Sequence, residues 1–214
     1  MTSETKRFYQ NSKVRIGISM QNRLYDTGIM KKYIQYLVFQ GFDQIEIQIA
    51  DTLHRHNLIW QNNIDEATAY KLSISLGDIW CNTIADDILI LDRSPISIWR
   101  WNDYLAHPNI RQHISLVNKF YKQDEGFRKA VEFDVRAFLA RKKAEDNDCA
   151  YRHSINYILE EIAVMSLTNN LFPAVESYAG EELTCQRYMA THCKKWNPKQ
   201  PYVYEYINLK DALK

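Results

Sequence analysis

The stretch that decides the fold is Lys13-Val14-Arg15-Ile16-Gly17-Ile18-Ser19-Met20-Gln21-Asn22. Its apolar residues alternate with other residues as in a β-strand, and Gly17 permits close backbone approach near the strand's end. A helical repeat of apolar residues follows from about residue 27. The pattern therefore predicts a first strand that leads into a crossover helix, with Ser19 in the turn between them. Ligands of open α/β sheets bind at this carboxyl edge.

Ser19 by itself is a weak indication of chemistry. Serine is common in helix caps and turns, so the ordinary interpretation is a capping or loop serine. The Gly-Ile-Ser sequence is not a G-x-S-x-G nucleophile elbow, because Gln21 stands where the second glycine is required. It also lacks the glycine series of a dinucleotide-binding turn. Any chemistry at Ser19 therefore depends on a second stretch of the chain.

Composition bounds the size and class of the protein. The chain has 214 residues, of which 46% are hydrophobic, enough for one sizeable α/β core. The net charge of +1 gives no general attraction to nucleic acid, so a polyanion requires a local basic patch. No apolar run reaches the length of a membrane span, and the first eleven residues have no apolar signal-peptide core. These features predict a cytoplasmic protein without membrane association.

Cysteine spacing agrees with that location. The four cysteines have no C-x-x-C spacing, which indicates a reducing compartment and neither a disulfide framework nor a zinc knuckle; they are Cys81, Cys149, Cys185 and Cys193. Asp51, His54 and His56 resemble a metal-ligand cluster, but a His-x-His sequence in a polar loop is more often at the surface. We therefore expect no metal site.

Alternating strand and helix patterns predict a three-layer Rossmann-like α/β domain with a mostly parallel five-stranded sheet flanked by helices. We expect a polar N-terminal arm over residues 1–12 and a single domain over 13–214. After the first βα unit, strands are predicted at residues 45–49, 88–91, 175–178 and 202–207. Helices are predicted at residues 65–84, 97–106, 110–143 with a break near 124–126, 153–167, 181–192 and 208–214.

A second chemical stretch lies in the predicted helix at residues 153–167. Tyr157 and Glu161 are four residues apart, which places a phenol and a carboxylate on one helix face. Such a pair can hold an ammonium group and move its proton. A half-buried tyrosine beside a solvated glutamate is the simpler interpretation. Glu160, one step round the helix, is expected to be exposed.

Together the two stretches resemble the signature of the cyclodipeptide synthases. Gly17-Ile18-Ser19-x-x-Asn22 is similar to the family's G-hydrophobic-S turn, and Asn156-Tyr157-Ile158-x-x-Glu161 to its Y-hydrophobic-x-x-E helix. The likeness extends over residues 13–207. It includes a long helix after Pro108 and a tyrosine at Tyr178, one segment beyond the second motif.

The resemblance implies a reaction. Cyclodipeptide synthases resemble the catalytic domain of class I tyrosyl- and tryptophanyl-tRNA synthetases without the ATP-binding motifs, and this sequence has no H-I-G-H or K-M-S-K-S stretch. They convert two aminoacyl-tRNAs into a cyclic dipeptide, a diketopiperazine. The expected protein is thus a monomeric aminoacyltransferase of secondary metabolism that uses neither ATP nor another cofactor. Transfer from a tRNA ester to a serine ester is close to isoenergetic, and covalent capture splits one encounter of two tRNAs into two steps.

The resemblance also assigns roles by position. Ser19 would take the first aminoacyl group, Tyr157 and Glu161 would hold its ammonium, and Glu161 would assist proton transfer. Tyr178 and Asn22 would line the pocket and orient the acyl groups. Substrate binding is further assigned to Gly17, Gln48 and Ala179.

Several positions depart from the family's pattern. Ala179 stands where His or Pro is common, and Arg15 stands where an aliphatic residue is common. Tyr188 competes with Tyr178 for the downstream tyrosine. The helix after the second strand, which is often basic in the family, offers only Lys71. Candidate tRNA-binding residues that would compensate follow later in the chain; they are Lys119, Lys122, Arg128, Lys129 and Arg136.

Two alternatives remain open from the sequence. The chain could be a catalytically silent tRNA- or protein-binding module of the same fold, a hypothesis that Ala179 and the missing basic helix favour. It could also be a Rossmann-like hydrolase or transferase that acts on small esters through Ser19. The two amino acids that a synthase would join cannot be read from scattered pocket positions, since one methylene group changes discrimination by only about 1–3 kcal/mol.

Overall fold

A computed structural model describes residues 12–26, 28–89, 95–171, 174–192 and 205–213. The described strands are β1 Lys13–Ile18, β2 Gln44–Ile49, β3 Ile96–Arg100, β4 Val175–Tyr178 and β5 Tyr206–Asn208. The described α-helices are α1 Ile29–Gln40, α2 Arg55–Asn62, α3 Glu66–Leu89, α4 Trp101–Leu105, α5 Ile110–Gln123, α6 Glu125–Lys142, α7 Asp148–Leu171 and α8 Thr184–Thr191. Short 3-10 helices cover Arg23–Tyr25, Thr52–His54 and Leu209–Leu213.

The five strands form one sheet in the order β3-β2-β1-β4-β5, and every described pair is parallel. The predicted three-layer α/β fold is therefore confirmed, with the first strand of the chain at the centre. Strand order reverses on either side of β1, because the chain builds β2 and β3 on one side and β4 and β5 on the other. In open sheets of this kind, that switch point is where ligands bind.

The two faces of the sheet differ in polarity. Ile16 of β1 and Ile47 of β2 are paired in register and point to one face, where both are fully buried. This face packs on α1 through fully buried side chains that include Tyr33 and Leu37. Because side chains alternate along a strand, the intervening residues of β1, β2 and β4 all face the opposite layer. That second face carries the polar side chains.

Arg15 lies at the centre of the polar face and is completely buried. Its Nε donates to Glu46 Oε1 on β2 at 2.6 Å, and its Nη1 donates to Glu176 Oε1 on β4 at 2.6 Å. Tyr104 donates its hydroxyl to the same Glu46 oxygen at 3.2 Å. Burial alone would lower the pKa of Arg15, but the two carboxylates outweigh it and raise the pKa. The guanidinium of β1 thus forms ion pairs with both neighbouring strands, β2 and β4.

The predicted third strand is wrong. Residues 86–89 continue α3, which ends at Leu89, and residues 90 and 91 lie outside the described residues. The actual third strand, Ile96–Arg100, falls where a short helix was predicted, and that helix is confined to Trp101–Leu105. A four-residue apolar run does not distinguish a buried strand from a buried helix segment.

Most other elements lie where they were predicted. Asp124 separates α5 from α6 and caps α6 by accepting from Phe127 N at 2.9 Å, which explains the predicted break. Helix α2 was not predicted, because its sequence is polar and weakly amphipathic. Residues 1–11 of the predicted N-terminal arm and residues 202–204 of the last predicted strand lie outside the described residues. Among the described helices, none combines the length and hydropathy needed to cross a membrane.

Candidate active site

A cavity of about 200 Å³ opens between the polar face of the sheet and helices α6 and α7. Ser19, Tyr157, Glu161 and Tyr178 all line it. The turn after β1 supplies the serine, α7 supplies the phenol and carboxylate pair, and β4 supplies the second tyrosine. The structure thus brings the four predicted catalytic side chains to one place at the carboxyl edge of the sheet.

Gly17 makes room for this cavity in the central strand. It is paired in register with Gln48 of β2, and both residues line the cavity. A Cβ atom added at Gly17 would lie 3.8 Å from Tyr178 Cδ2, which is ordinary contact. Any larger side chain at this position would enter the space between Gln48 and Tyr178. The glycine is therefore explained by the cavity and not by backbone strain.

Ser19 faces the same cavity as the phenols of Tyr157 and Tyr178, and its side chain interacts with each phenol. Burial and the nearby carboxylate of Glu161 raise the pKa of both phenols, and the contact with Ser19 acts in the opposite direction. Both tyrosines therefore remain protonated at neutral pH. They can donate or relay a proton, but neither is a phenolate base.

Glu161 is a buried carboxyl group of the cavity with a raised pKa. Burial, followed by the charges of Glu176 and Asp134, raises its pKa to about 7. A carboxyl with this pKa exchanges its proton readily at physiological pH. A bound ammonium group would favour the ionised form, because it places an opposite charge beside the carboxylate.

Glu160 is not exposed, and that expectation is wrong. Its Oε1 accepts from Trp101 Nε1 at 2.9 Å, and Arg55 forms a two-pronged ion pair with it at 2.9 and 2.6 Å. Burial opposes the charge on Glu160, but hydrogen bonds from His56 and Arg55 lower its pKa to about 2. The two adjacent glutamates of α7 therefore have opposite environments. Glu160 is held as an anion, whereas the pKa of Glu161 lies near 7.

The turn that follows Tyr178 is held by Tyr25. The backbone amide of Ala179 donates to the Tyr25 hydroxyl at 2.9 Å, and the rings of Tyr25 and Tyr178 are 5.8 Å apart. Ala179 itself is buried in the apolar core and does not line the cavity. Asn22 accepts from Leu24 N at 3.1 Å, and against the larger effect of burial its side chain lowers the pKa of the Tyr178 phenol. Asn22 therefore acts on the site through that tyrosine.

Tyr188 lies away from the cavity. Its hydroxyl donates to Asp124 Oδ1 at 2.7 Å, and its ring stacks on His192 with centroids 4.1 Å apart. The downstream tyrosine of the site is therefore Tyr178. Nearby, Asp134 fixes the start of α8 by accepting from Cys185 N at 2.8 Å.

The predicted tRNA-binding cations lie on α5 and α6. Lys119 and Lys122 are exposed on α5. On α6, Lys129 pairs with Glu125 at 2.7 Å, and the Arg136 guanidinium lies 5.9 Å from the centre of the Tyr151 ring. The remaining member of the set, Arg128, is half-buried.

One cation reaches the cavity. Arg141, near the end of α6, is exposed and lines the cavity, and its charge acts on the Tyr178 phenol. It forms no ion pair with any residue that the structure describes.

The His-x-His sequence is buried and not in a surface loop. His54 ends a 3-10 helix and His56 lies in α2, and both are largely inaccessible. Burial is the main cause that lowers the pKa of His54 to about 4. Among the described residues, no group of His, Cys, Asp and Glu side chains is arranged to hold a metal ion.

Several residues of the site were not found from the sequence. Asp134 and Tyr25 carry no local motif, and only the packing of distant elements brings Asp134 to the cavity and Tyr25 to the turn after Tyr178. Glu46 and Glu176 could have been found from the sequence, since each occupies the strand position that pairs with Arg15. A charged residue in each of three adjacent buried strands indicates an ion-pair row.

The fold and cavity define a Rossmann-like α/β domain with a cavity at the switch point of its sheet. No protein-family model matches the chain, and no curated protein matches its sequence. Solved structures match over nearly the whole length. The structure of a cyclodipeptide synthase from Fluoribacter dumoffii is 22% identical, with a TM-score of 0.84, and the match covers 96% of this chain and 93% of that one.

Two further structures give the same result. AlbC, a cyclodipeptide synthase from Streptomyces noursei, is 15% identical with a TM-score of 0.70, and the match covers 95% of this chain and 99% of that one. A cyclodipeptide synthase from Candidatus Glomeribacter gigasporarum, solved bound to Phe-tRNAPhe, is 18% identical with a TM-score of 0.69 and coverage of 92% and 87%. This chain therefore has the fold of the cyclodipeptide synthases, as the sequence resemblance predicted.

Proposed function

We propose that this protein is a cyclodipeptide synthase that joins the aminoacyl groups of two aminoacyl-tRNAs into a diketopiperazine through an aminoacyl-Ser19 intermediate. The observation that carries the proposal is the convergence of Ser19, Tyr157, Glu161 and Tyr178 on one cavity. The match to cyclodipeptide synthases over 96% of the chain supports it.

In the first step, Ser19 Oγ attacks the ester carbonyl carbon of one aminoacyl-tRNA. A new C–O bond to the serine forms, the C–O bond to the terminal ribose breaks, and the ribose hydroxyl leaves with a proton. The phenols of Tyr157 and Tyr178, both within reach of Ser19, carry that proton between the two oxygens. One ester replaces another, so the step needs no nucleotide.

In the second half, the amino group of one aminoacyl ester attacks the carbonyl carbon of the other and forms the first peptide bond. The remaining free amine then attacks the remaining ester, closes the ring and completes the release of tRNA and the Ser19 hydroxyl. Each attack requires an ammonium group to lose a proton. Glu161, with a pKa of about 7, is suited to accept it.

Positioning supplies much of the rate in this scheme. A covalently held acyl group beside a bound amine reacts as at a high effective concentration. The carboxylate of Glu161 and the phenol of Tyr157 lie one helical turn apart, so they can contact a single ammonium group together. Orientation of that ammonium also fixes the carbonyl of its own ester relative to Ser19.

The proposed tRNA surface consists of Lys119, Lys122, Arg128, Lys129 and Arg136, with Arg141 at the cavity itself. These cations lie on α5 and α6 and compensate for the missing basic helix after β2. Phosphate contacts of this kind make affinity fall steeply with salt concentration through counterion release.

The decisive experiment uses total tRNA charged with a mixture of amino acids and no added ATP during the assay. Wild-type protein should form a covalent adduct, seen as a mass increase of the intact protein, and should release a diketopiperazine. Ser19→Ala should abolish both, whereas Ser75→Ala, an exposed serine on α3, should leave both unchanged. Product formation by Ser19→Ala would contradict the assigned nucleophile.

The same experiment tests the two alternatives. Tight tRNA binding without any adduct would indicate a silent binding module. Turnover of small esters in the absence of tRNA would indicate a general hydrolase or transferase.

A further inference from the structure

The cavity wall contains two deeply buried polar atoms that the proposed reaction does not use. Gln48 is 5% exposed and Ser154 is 3% exposed, and both residues line the cavity. Gln48 Nε2 and Ser154 Oγ have no hydrogen-bond partner in the part of the chain that the structure describes. Buried polar groups in folded proteins are almost always paired, so each such atom requires an explanation.

The helix α7 places Ser154 on the cavity. Ser154, Tyr157, Glu161 and Met165 follow one another at helical spacing and line the same cavity, over about 16 Å at 1.5 Å per residue. Tyr157 and Glu161 therefore divide the cavity along α7 into a part next to Ser154 and a part next to Met165.

The part of the cavity next to Ser154 and the part next to Met165 are lined by different elements. The rings of His56 in α2 and His153 in α7 are 6.0 Å apart, and the next residue in each helix, Asn57 and Ser154, lines the cavity. At the other part, Gln186 Nε2 of α8 contacts Met165 Sδ at 3.2 Å. Helix α2 packs against α7 and follows β2 after one turn of 3-10 helix, so we place Gln48 and Asn57 in the Ser154 part.

The chemistry of these atoms restricts what the Ser154 part can bind. An amide nitrogen only donates, so Gln48 Nε2 requires an acceptor oxygen in the ligand. The hydroxyl of Ser154 can donate or accept. Neither Gln48, Asn57 nor Ser154 carries a charge. An ammonium group is therefore served by Glu161 instead, and an ionised ligand side chain would have no counter-charge among these three residues.

We propose that Gln48 and Ser154 bind the side chain of one of the two aminoacyl groups and select an uncharged side chain that carries a hydroxyl or carboxamide oxygen. The inference rests on the proposed function and specifies one of its two substrates. Sites built to hydrogen-bond a substrate group reject an analogue without that group, because their own polar atoms are then left unpaired.

The test uses substrate pairs in which one member has a side-chain oxygen and the other does not, each charged onto the same tRNA so that the RNA is constant. Tyrosyl is compared with phenylalanyl, threonyl with the isosteric valyl, and asparaginyl with leucyl, which has a similar shape. The measurement is the initial rate of adduct or cyclic-dipeptide formation by mass spectrometry. For at least one pair we expect wild-type protein to prefer the oxygen-bearing member by roughly tenfold to a hundredfold or more.

Single substitutions test which residues cause the preference for the oxygen-bearing aminoacyl group. Gln48→Met and Ser154→Ala remove the two polar atoms with little change in volume, and each should reduce the preference to within about threefold. Gln112→Met and Ser75→Ala, both exposed and away from the cavity, should retain it. Gln48→Met should also unfold at a higher temperature than wild type, since a buried unpaired donor is removed. This measurement also shows that the variant is folded.

The outcomes separate the two hypotheses. Adduct formation without preference, or with preference for the apolar members, overturns the inference and leaves the proposed function intact. An equal loss of rate for both members in Gln48→Met also overturns it, because Gln48 would then serve the common ester group. If no aminoacyl-tRNA of the full set forms adduct or product, the proposed function fails and the inference falls with it.

Discussion

Ser19 and Tyr157 belong to opposite halves of the chain, yet both line one cavity, where the Ser19 hydroxyl interacts with the Tyr157 phenol. The phenol stays protonated at neutral pH, because burial and the charge of Glu161 raise its pKa well above the usual value. It can therefore donate to the departing ribose oxygen as it receives the serine proton. This relay needs the hydroxyl of Tyr157 and not its ring.

Tyr157→Phe keeps the ring and removes the relay. We expect the rate of aminoacyl transfer to fall by about 10²-fold, the lower range for loss of a general acid or base. Quenched single-turnover reactions analysed by intact-protein mass will measure it. Tyr36→Phe on α1, which does not line the cavity, serves as the matched control. An unchanged transfer rate would exclude Tyr157 from proton transfer.

The ionisation of Glu161 affects the free energy of unfolding. Its folded-state pKa of about 7 lies above the ordinary value of 4.5, so between these values the folded protein holds a proton that the unfolded chain has lost. The free energy of unfolding therefore falls as pH rises through this window. Glu161→Gln removes the ionisation and should be more stable than wild type at pH 8 by roughly 1–3 kcal/mol.

Urea unfolding of both proteins at pH 8 and at pH 4.5 measures this difference. At pH 4.5 the difference should largely disappear, because the carboxyl is then protonated in the folded state. Glu132→Gln on α6, away from the cavity, controls for the loss of a carboxylate. A stability difference that is equal at both pH values would show that Glu161 has no raised pKa.

The buried ion pairs of Arg15 also contribute to the stability of the fold. Arg15→Met would leave Glu46 and Glu176 buried without their shared cation, at a cost of about 3–5 kcal/mol in the free energy of unfolding at pH 7. The loss should shrink at acid pH, where Glu176, whose pKa is raised mainly by burial, becomes neutral. Chemical denaturation across pH checks this, and Arg15→Met combined with Glu176→Gln should recover part of the loss. Full stability of the single variant would contradict an ion-pair clamp.

Arg141 gives a test of the RNA partner. Arg141→Gln should raise the KM for aminoacyl-tRNA several-fold and reduce the slope of log affinity against log salt concentration by about 1, as expected for one lost phosphate contact. Filter binding over a range of salt concentrations provides the slope. Arg111→Gln, an exposed arginine at the start of α5, is the control. Equal slopes for wild type and Arg141→Gln would place the RNA elsewhere.

Sequence patterns were sufficient for the central part of the fold. The alternation in β1 and β2 and the helical spacing before Gly41 are local signals, and each is confirmed. The third strand was misplaced because the real one, Ile96–Arg100, contains Trp99 and borders an aromatic-rich helix. Pro95, whose carbonyl accepts from Ile45 N at 3.2 Å, marks its start, since proline is tolerated at the first position of a strand.

The site could be predicted only where residues lie in short motifs. Ser19 and the Tyr157–Glu161 pair have fixed spacing, but nothing local distinguishes Glu161 from Glu160. Their environments differ because Arg55, more than a hundred residues earlier in the chain, reaches one glutamate and not the other. Long-range packing of this kind leaves no periodic trace in the sequence.

The division of the cavity along α7 bears on how such proteins diversify. One part draws on β2 and α2, from the first third of the chain, and the other draws on α8, from its last fifth. An exchange of the terminal segment between two relatives, at a junction just before β4, would thus replace one recognition surface and spare the other. Recombination could in this way change one half of the product independently of the other half.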